Sequence, residues 1–314
     1  MKIKHLLCFI ALCLFFTPGK AQQLSVMTLR NGATVYIWED KSKPDVFGMI
    51  AFKVGSVDDP EQYTGLAHYL EHVMFKGTQT IDALDWEKEK PIYEKIIAKY
   101  DERAALSDPA AREAIDKEIN DLTREAAQYA AGNEFSLLVD HMGGQGLNAS
   151  TGYDQTEYHN SFPPSQLEKW LEIYSERLID PVFRGFQTEL EAVYEEYNMY
   201  NDDRGSRMRE FIYEQAFGDH PYARPIIGLP EHLKNPQLSK LIDFYNTWYG
   251  PQNMSIILVG NIDAKEAIPM IRDKFERVPR RAEIHREKKP VRQFKGRTEK
   301  SAKIFYYPMP VSYT

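Results

Sequence analysis

Apolar and polar positions alternate through residues 24–29 and 33–38, and Asn31-Gly32 stands between them. Asn-Gly favours the positive φ of a tight turn, so the two runs predict a β-hairpin. A third strand is expected at 47–54, after the turn-rich stretch 41–45, and two shorter ones at 147–151 and 155–162 around Gly152-Tyr153-Asp154. The run 254–261 is apolar enough for a buried strand, and Asp263 after it suits the N-cap of a helix reaching Phe275.

Elsewhere the period becomes helical. Ile92, Ile96 and Tyr100 recur every four residues, and beyond Asp108-Pro109, a cap followed by an N1 proline, come Ile115, Ile119, Leu122, Ala126 and Tyr129. These two stripes predict an antiparallel helical hairpin over 85–131 with solvated charged outer faces. Ser165 and Glu168 have the spacing of a capping box for a helix with Leu167, Leu171, Tyr174 and Leu178 on one side. Further helices are expected at 188–198, 207–217 and 238–248. Strands and helices ordered this way predict an α+β fold, a mainly antiparallel sheet with helices packed on one face and the helical hairpin inserted.

Composition changes this picture at the ends. Residues 1–21 carry Lys2 and Lys4, an apolar run over 6–16 and small residues at Gly19 and Ala21, which is the pattern of a secretory leader. That run is too short to span about 30 Å of hydrocarbon, so no transmembrane segment is expected in the mature chain. The expected location is periplasmic or extracellular, with membrane association left open. Both cysteines, Cys8 and Cys13, fall in the leader, so any metal further on must be held by nitrogen and oxygen. The formal charge of -7 becomes more negative without Lys2, Lys4 and Lys20, and a nucleic-acid partner is not expected. The layout read from the chain is a leader at 1–21, an α/β domain at 22–278 carrying the insert 85–131, a basic linker at 279–300, and at 301–314 the first strand of an incomplete second domain. On that reading the chain is a fragment, a truncated product or one piece of a split enzyme.

The candidate chemistry lies in the helix expected near 65–75. His68-x-x-Glu71-His72 places two imidazoles four residues apart, on one helix face, with a carboxylate beside them. Two histidines, an open coordination position and a carboxylate that can take a proton from water are the parts of a hydrolytic zinc site. A third ligand must come from elsewhere, and the acid-rich helix 188–198 offers the densest supply. Glu189 and Glu196 are two turns apart and share a face, and on the residue pattern alone they are tied. If the strand 147–151 is a sheet edge, its free N–H and C=O groups can pair with an extended peptide; the pattern leaves a covered edge equally open.

The segment 65–78, Asn148-Ala149-Ser150-Thr151 with Asp154-Gln155-Thr156, and the segment 189–198 together resemble the pitrilysin/insulinase family of inverted-motif zinc peptidases. The resemblance implies one zinc per chain on His68, His72 and Glu196, Glu71 as general base, and Glu189 as a supporting acid. It also implies that Asn148 and Ala149 lie on a strand pairing with substrate backbone. The implied activity is that of an exported zinc-dependent endopeptidase acting on peptides or unfolded protein segments. The gap from His72 to Glu196 is longer than usual in that family, by about the size of the charged hairpin. Members of that family close a chamber with a second half, so a second-half subunit or self-association around the site is expected. The alternative is a noncatalytic interaction or scaffold subunit of the same fold.

Overall fold

The computed structural model describes residues 24–281. The expected leader 1–21, residues 282–300 of the expected linker and the expected strand 301–314 lie outside the described residues.

Strands β1 (Leu24–Thr28), β2 (Thr34–Glu39), β3 (Val46–Phe52), β4 (Gln145–Thr151), β5 (Thr156–Phe162) and β6 (Met254–Gly260) form one sheet in the order β1-β2-β6-β3-β5-β4. All neighbours pair antiparallel except β2 and β6, which run parallel. The strand period decides which face is the core: Val35, Ile37, Val46, Ile50, Phe52, Tyr158, Phe162, Ile256 and Leu258 are buried, whereas Tyr36, Trp38 and Val259 on the other face are exposed. The helices are α1 (Leu66–Val73), α2 (Trp86–Ala105), α3 (Pro109–Ala126), α4 (Glu134–His141), α5 (Leu167–Glu176), α6 (Phe186–Asp202), α7 (Arg204–Phe217), α8 (Pro230–Leu233), α9 (Leu238–Trp248) and α10 (Ala264–Phe275). The mixed, mainly antiparallel α+β class expected from the pattern is the class observed. Neither α4 nor α8 was expected, being too short to show a helical period.

The helix after Pro163-Pro164 corrects one local reading. Its entry is a 3₁₀ turn at Pro164–Gln166, its N-cap is Gln166, and no side chain caps it, so Ser165 and Glu168 do not form a capping box. Pro164 at the start of the turn fixes the entry instead.

Asn160 on β5 is buried and bonded at both ends of its amide: its Oδ1 accepts from Trp170 Nε1 (2.8 Å) and the Tyr174 hydroxyl (2.7 Å), and its Nδ2 donates to Ser161 O. This draws the Trp170 ring over β3 at Gly48, stacked on Phe162 and Tyr174. A methyl group at Gly48 would meet Trp170 Cζ2 at 2.5 Å and Phe162 Cε1 at 2.8 Å. Gly48→Ala is therefore expected to destabilise the fold by about 1–3 kcal/mol, the usual cost of overpacking a filled core. An unchanged urea midpoint would show that Trp170 can move aside.

Helix α1 is fixed at both ends, which matters for what it carries. The buried Asp59 carboxylate accepts from Gly65 N (2.7 Å) and Ala67 N (2.9 Å), satisfying two N–H groups at the helix start. Burial pushes this carboxyl up to about 7 against the pull of those bonds. At the other end Arg177, fully buried among Phe75, Phe135, Tyr158 and Tyr174, donates Nη2 to Met74 O (3.0 Å). In between, the Tyr69 hydroxyl donates to Phe186 O and ties α1 to the start of α6. Helices α2 and α3 pack on each other and reach the same region: Ser239 donates to Asp101 (2.6 Å), and Tyr100 to Gln187 on α6 (3.3 Å).

Candidate metal centre

Leu66, Ala67, Tyr69, Leu70 and Val73 face the core, so the helical period turns His68, Glu71 and His72 together away from it, with His68 and Glu71 lining a cleft. Facing them, α6 presents Glu196, which also lines the cleft, and Glu189, two turns apart on one face. His68 Nε2 and His72 Nε2 each lie 3.5 Å from Glu196 Oε2. Ligand atoms of all three residues fall within 4.8 Å of one another. Tetrahedral zinc with bonds of about 2.0–2.1 Å needs ligand atoms about 3.3–3.4 Å apart, so this all-nitrogen-and-oxygen set fits that ion.

The two acids differ in position. Glu189 Oε2 lies 3.4 Å from His72 Nδ1, the nitrogen pointing away from Glu196, and Glu189 Oε1 holds Lys76 Nζ at 2.5 Å. A carboxylate on the far nitrogen of a ligating histidine fixes its tautomer and ring orientation. Among the described residues His68 has no such partner: its Nδ1 is buried and unbonded. Glu71 Oε2 accepts from the Thr151 hydroxyl at 2.5 Å, which draws the end of β4 to α1.

Electrostatics separates the two histidines. Burial, with the neighbouring His72, lowers His68 to about 4 in spite of Glu196. Burial also works against the charged ring of His72, but bonds to Glu189 and Glu196 and the charge of Glu71 outweigh it and raise His72 to about 9. Glu71 is raised, chiefly by burial, with the Thr151 bond pulling the other way. The His72 bond holds Glu189 and Glu196 low against their burial, helped by Lys76 at Glu189 and by His68 and Tyr200 at Glu196.

The cleft has a volume of about 430 Å³. His68, Glu71, Glu196 and Ala149 line it, while His72 and Glu189 stand behind. Among the described residues strand β4 is the last in the sheet and pairs only with β5, so no described strand occupies its outer edge. Asn148, on that strand, is exposed and lies outside the cleft lining. The structure adds residues the motif did not reveal: Thr151, Lys76, Tyr153, Tyr200, Arg209, Tyr213 and Arg224. Lys76 and Tyr200 each follow a site residue, His72 and Glu196, by four positions, a spacing that could have found them. Arg224 arrives on a loop held over α1 by Leu229 N donating to Thr64 Oγ1 (2.9 Å), for which no local signal exists.

The family model for insulinase, peptidase family M16, matches residues 34–90 and 122–229, more than half of the chain. The chain belongs to the insulinase family of peptidases. All seven site residues expected from the sequence lie within that match, and the unmatched 91–121 fall in the α2–α3 hairpin. A second model, the M16 inactive domain, matches 237–311 and contains none of them. Among insulinase-family relatives, the probable zinc protease PqqL of Escherichia coli is 25% identical over 270 residues, covering 82% of this chain and 23% of that protein. Zinc protease PqqE of Helicobacter pylori is 24% identical over 254 residues, covering 80% and 46%. The solved first half of the periplasmic protease PqqL shares the fold with a TM-score of 0.63 at 24% identity, over 84% of this chain and 48% of that one. The chain thus spans between about a quarter and a half of the length of these relatives. Among the described residues no helix is long and apolar enough to cross a membrane.

Proposed function

We propose that this insulinase-family chain carries the catalytic centre of an exported zinc-dependent endopeptidase that cleaves peptides or unfolded protein segments. The observation that carries the reading is the meeting of His68 Nε2 and His72 Nε2 at one oxygen of Glu196, with the Glu71 carboxylate in the same cleft. When bound, zinc would supply Lewis acidity toward the scissile carbonyl and toward water.

The chain's own residues do the rest. Glu71, its proton affinity raised by burial, takes a proton from the attacking water and passes it to the leaving amine. Thr151 holds that carboxylate by its second oxygen, leaving Oε1 for the proton. Glu189 holds His72 in the orientation that points Nε2 at Glu196. The open edge of β4, including Asn148 and Ala149, pairs with an extended substrate as an added strand and lays its backbone along the cleft. A second half, or self-association around the site, closes the chamber. Export rests on the leader pattern at 1–21. The noncatalytic alternative has in its favour the inactive-domain match at 237–311; against it, His68, Glu71, His72 and Glu196 are all present, within the other match.

The test is cleavage of a quenched fluorescent peptide mixture by the zinc-loaded chain. Cleavage that a chelator abolishes and added zinc restores is the expected result, with zinc bound one to one. Cleavage indifferent to chelation would remove the metal from the mechanism, and zinc bound one to one without cleavage would mean that the metal site is intact and that a second half is needed for turnover.

A further inference from the structure

Helix α7 presents Ser206, Arg209, Glu210 and Tyr213 to the cleft, a spacing of three, four and seven residues that makes one helical face. The charges on this face are not equivalent. Glu210 is engaged by Arg207. Arg209, by contrast, has a single hydrogen bond, from Nη2 to Ser206 Oγ at 3.3 Å, and no ion pair with a carboxylate among the described residues. Asp203, whose charge it feels, is already occupied as the cap of α7, accepting from Ser206 N at 2.7 Å. Arg224 lines the same cleft with its Nε buried and unbonded; its Nη2 donates to Asp59 O at 3.4 Å. The chain as a whole carries 46 acids against 39 lysines and arginines, so an arginine without an acidic partner beside the metal centre is not explained by a general excess of positive charge.

We infer that Arg209, backed by Arg224, is a specificity-determining residue that reads a carboxylate on the substrate a few residues from the scissile bond. This rests on the endopeptidase reading above and narrows it to acidic peptides. Side chains alternate along an extended strand, so a peptide added to β4 sends every second side chain toward the cleft and the α7 face. A guanidinium offers paired N–H groups in a fork that matches a carboxylate, and the rings of Tyr153 and Tyr213, 5.7 Å apart, flank the approach with surface for the aliphatic stem of a glutamate. The carboxylate could belong to an internal Asp or Glu or to a peptide C-terminus.

The experiment measures two things on the full zinc-loaded chain. Cleavage is compared for quenched peptides identical except for Glu, Gln or Lys at each position flanking the scissile bond, with free-acid and amidated C-termini as separate arms. Binding of the same peptides, fluorescein-labelled, is followed by anisotropy with Glu71→Gln protein, which needs no turnover. The expected result is a preference for Glu over Gln of about tenfold, the scale of one charge-assisted hydrogen bond. Arg209→Ala should abolish the preference and Arg209→Glu should turn it toward Lys. Arg204→Glu makes the same charge change on α7 outside the cleft lining and should leave the ratio as it was. A preference confined to free-acid peptides would assign the carboxylate to the C-terminus. Cleavage with no charge preference, or a ratio moved as much by Arg204→Glu as by Arg209→Glu, overturns the inference and leaves the peptidase reading standing. Charge-selective binding with no cleavage upholds it and assigns turnover to the chain completed by its second half. Neither binding nor cleavage overturns both.

Discussion

Glu71→Gln is expected to lower peptide cleavage at least about a hundredfold, the usual contribution of a positioned general base, while zinc uptake is unchanged. Glutamine has the same shape and its carbonyl can still accept from Thr151, so the substitution leaves the packing of α1 against β4 intact. What it loses is a carboxylate able to hold a proton between water and the leaving amine. The proposed metal ligands His68, His72 and Glu196 are untouched, so the rise in melting temperature on adding zinc should match that of the parent chain. Cleavage within a few fold of the parent rate would take Glu71 out of the proposed mechanism. A lost thermal response to zinc would show that Glu71 serves the metal instead.

Glu89→Ala is expected to destabilise the fold by about 3–5 kcal/mol, the cost of leaving one buried charge without its partner. Glu89 and Arg184 bury side chains to 2% and 9% exposure and meet through two hydrogen bonds, of 2.7 and 2.8 Å. Arg184 also donates Nη1 to Lys76 O (3.2 Å), and Lys76 Nζ holds Glu189, which holds His72. The pair thus joins the α2–α3 hairpin to the candidate metal centre through a chain of named contacts. Urea unfolding should show the loss of stability, and the same variant should bind zinc more weakly than the parent chain. Replacing both partners by leucine should recover part of the stability, since no charge is then stranded. A loss below about 1 kcal/mol for Glu89→Ala would mean that water reaches Arg184 and that the hairpin is not pinned there.

The sequence carried the parts of this site better than their arrangement. The motif His68-x-x-Glu71-His72 was legible because helical spacing is local, and so were the stripes Ile92, Ile96, Tyr100 and Ile115, Ile119, all buried as expected. Glu189 and Glu196 could not be told apart by spacing, since a choice between them depends on how α6 lies against α1; the contacts of His72 Nδ1 and Nε2 separate them. The place of β4 at the end of the described sheet was undecidable for the same reason, because strand order depends on long-range pairing such as that of β2 with β6, more than 200 residues apart. Ser165-x-x-Glu168 had the right spacing for a cap, but Pro164 starts a 3₁₀ turn that removes the position it would have served. The cleft's far wall, with Tyr153, Arg209, Tyr213 and Arg224, comes from three separate segments, none of which has a motif of its own.

The claim on which the rest depends is that His68, His72 and Glu196 hold one zinc ion. Crystals of the full chain grown with zinc and measured on both sides of the zinc absorption edge test it directly. The account predicts one anomalous peak per chain, about 2.0–2.2 Å from His68 Nε2, His72 Nε2 and a Glu196 carboxylate oxygen, with Glu71 nearby and not bonded to it. A peak on other residues, or zinc bound by Glu189 in place of Glu196, would contradict it.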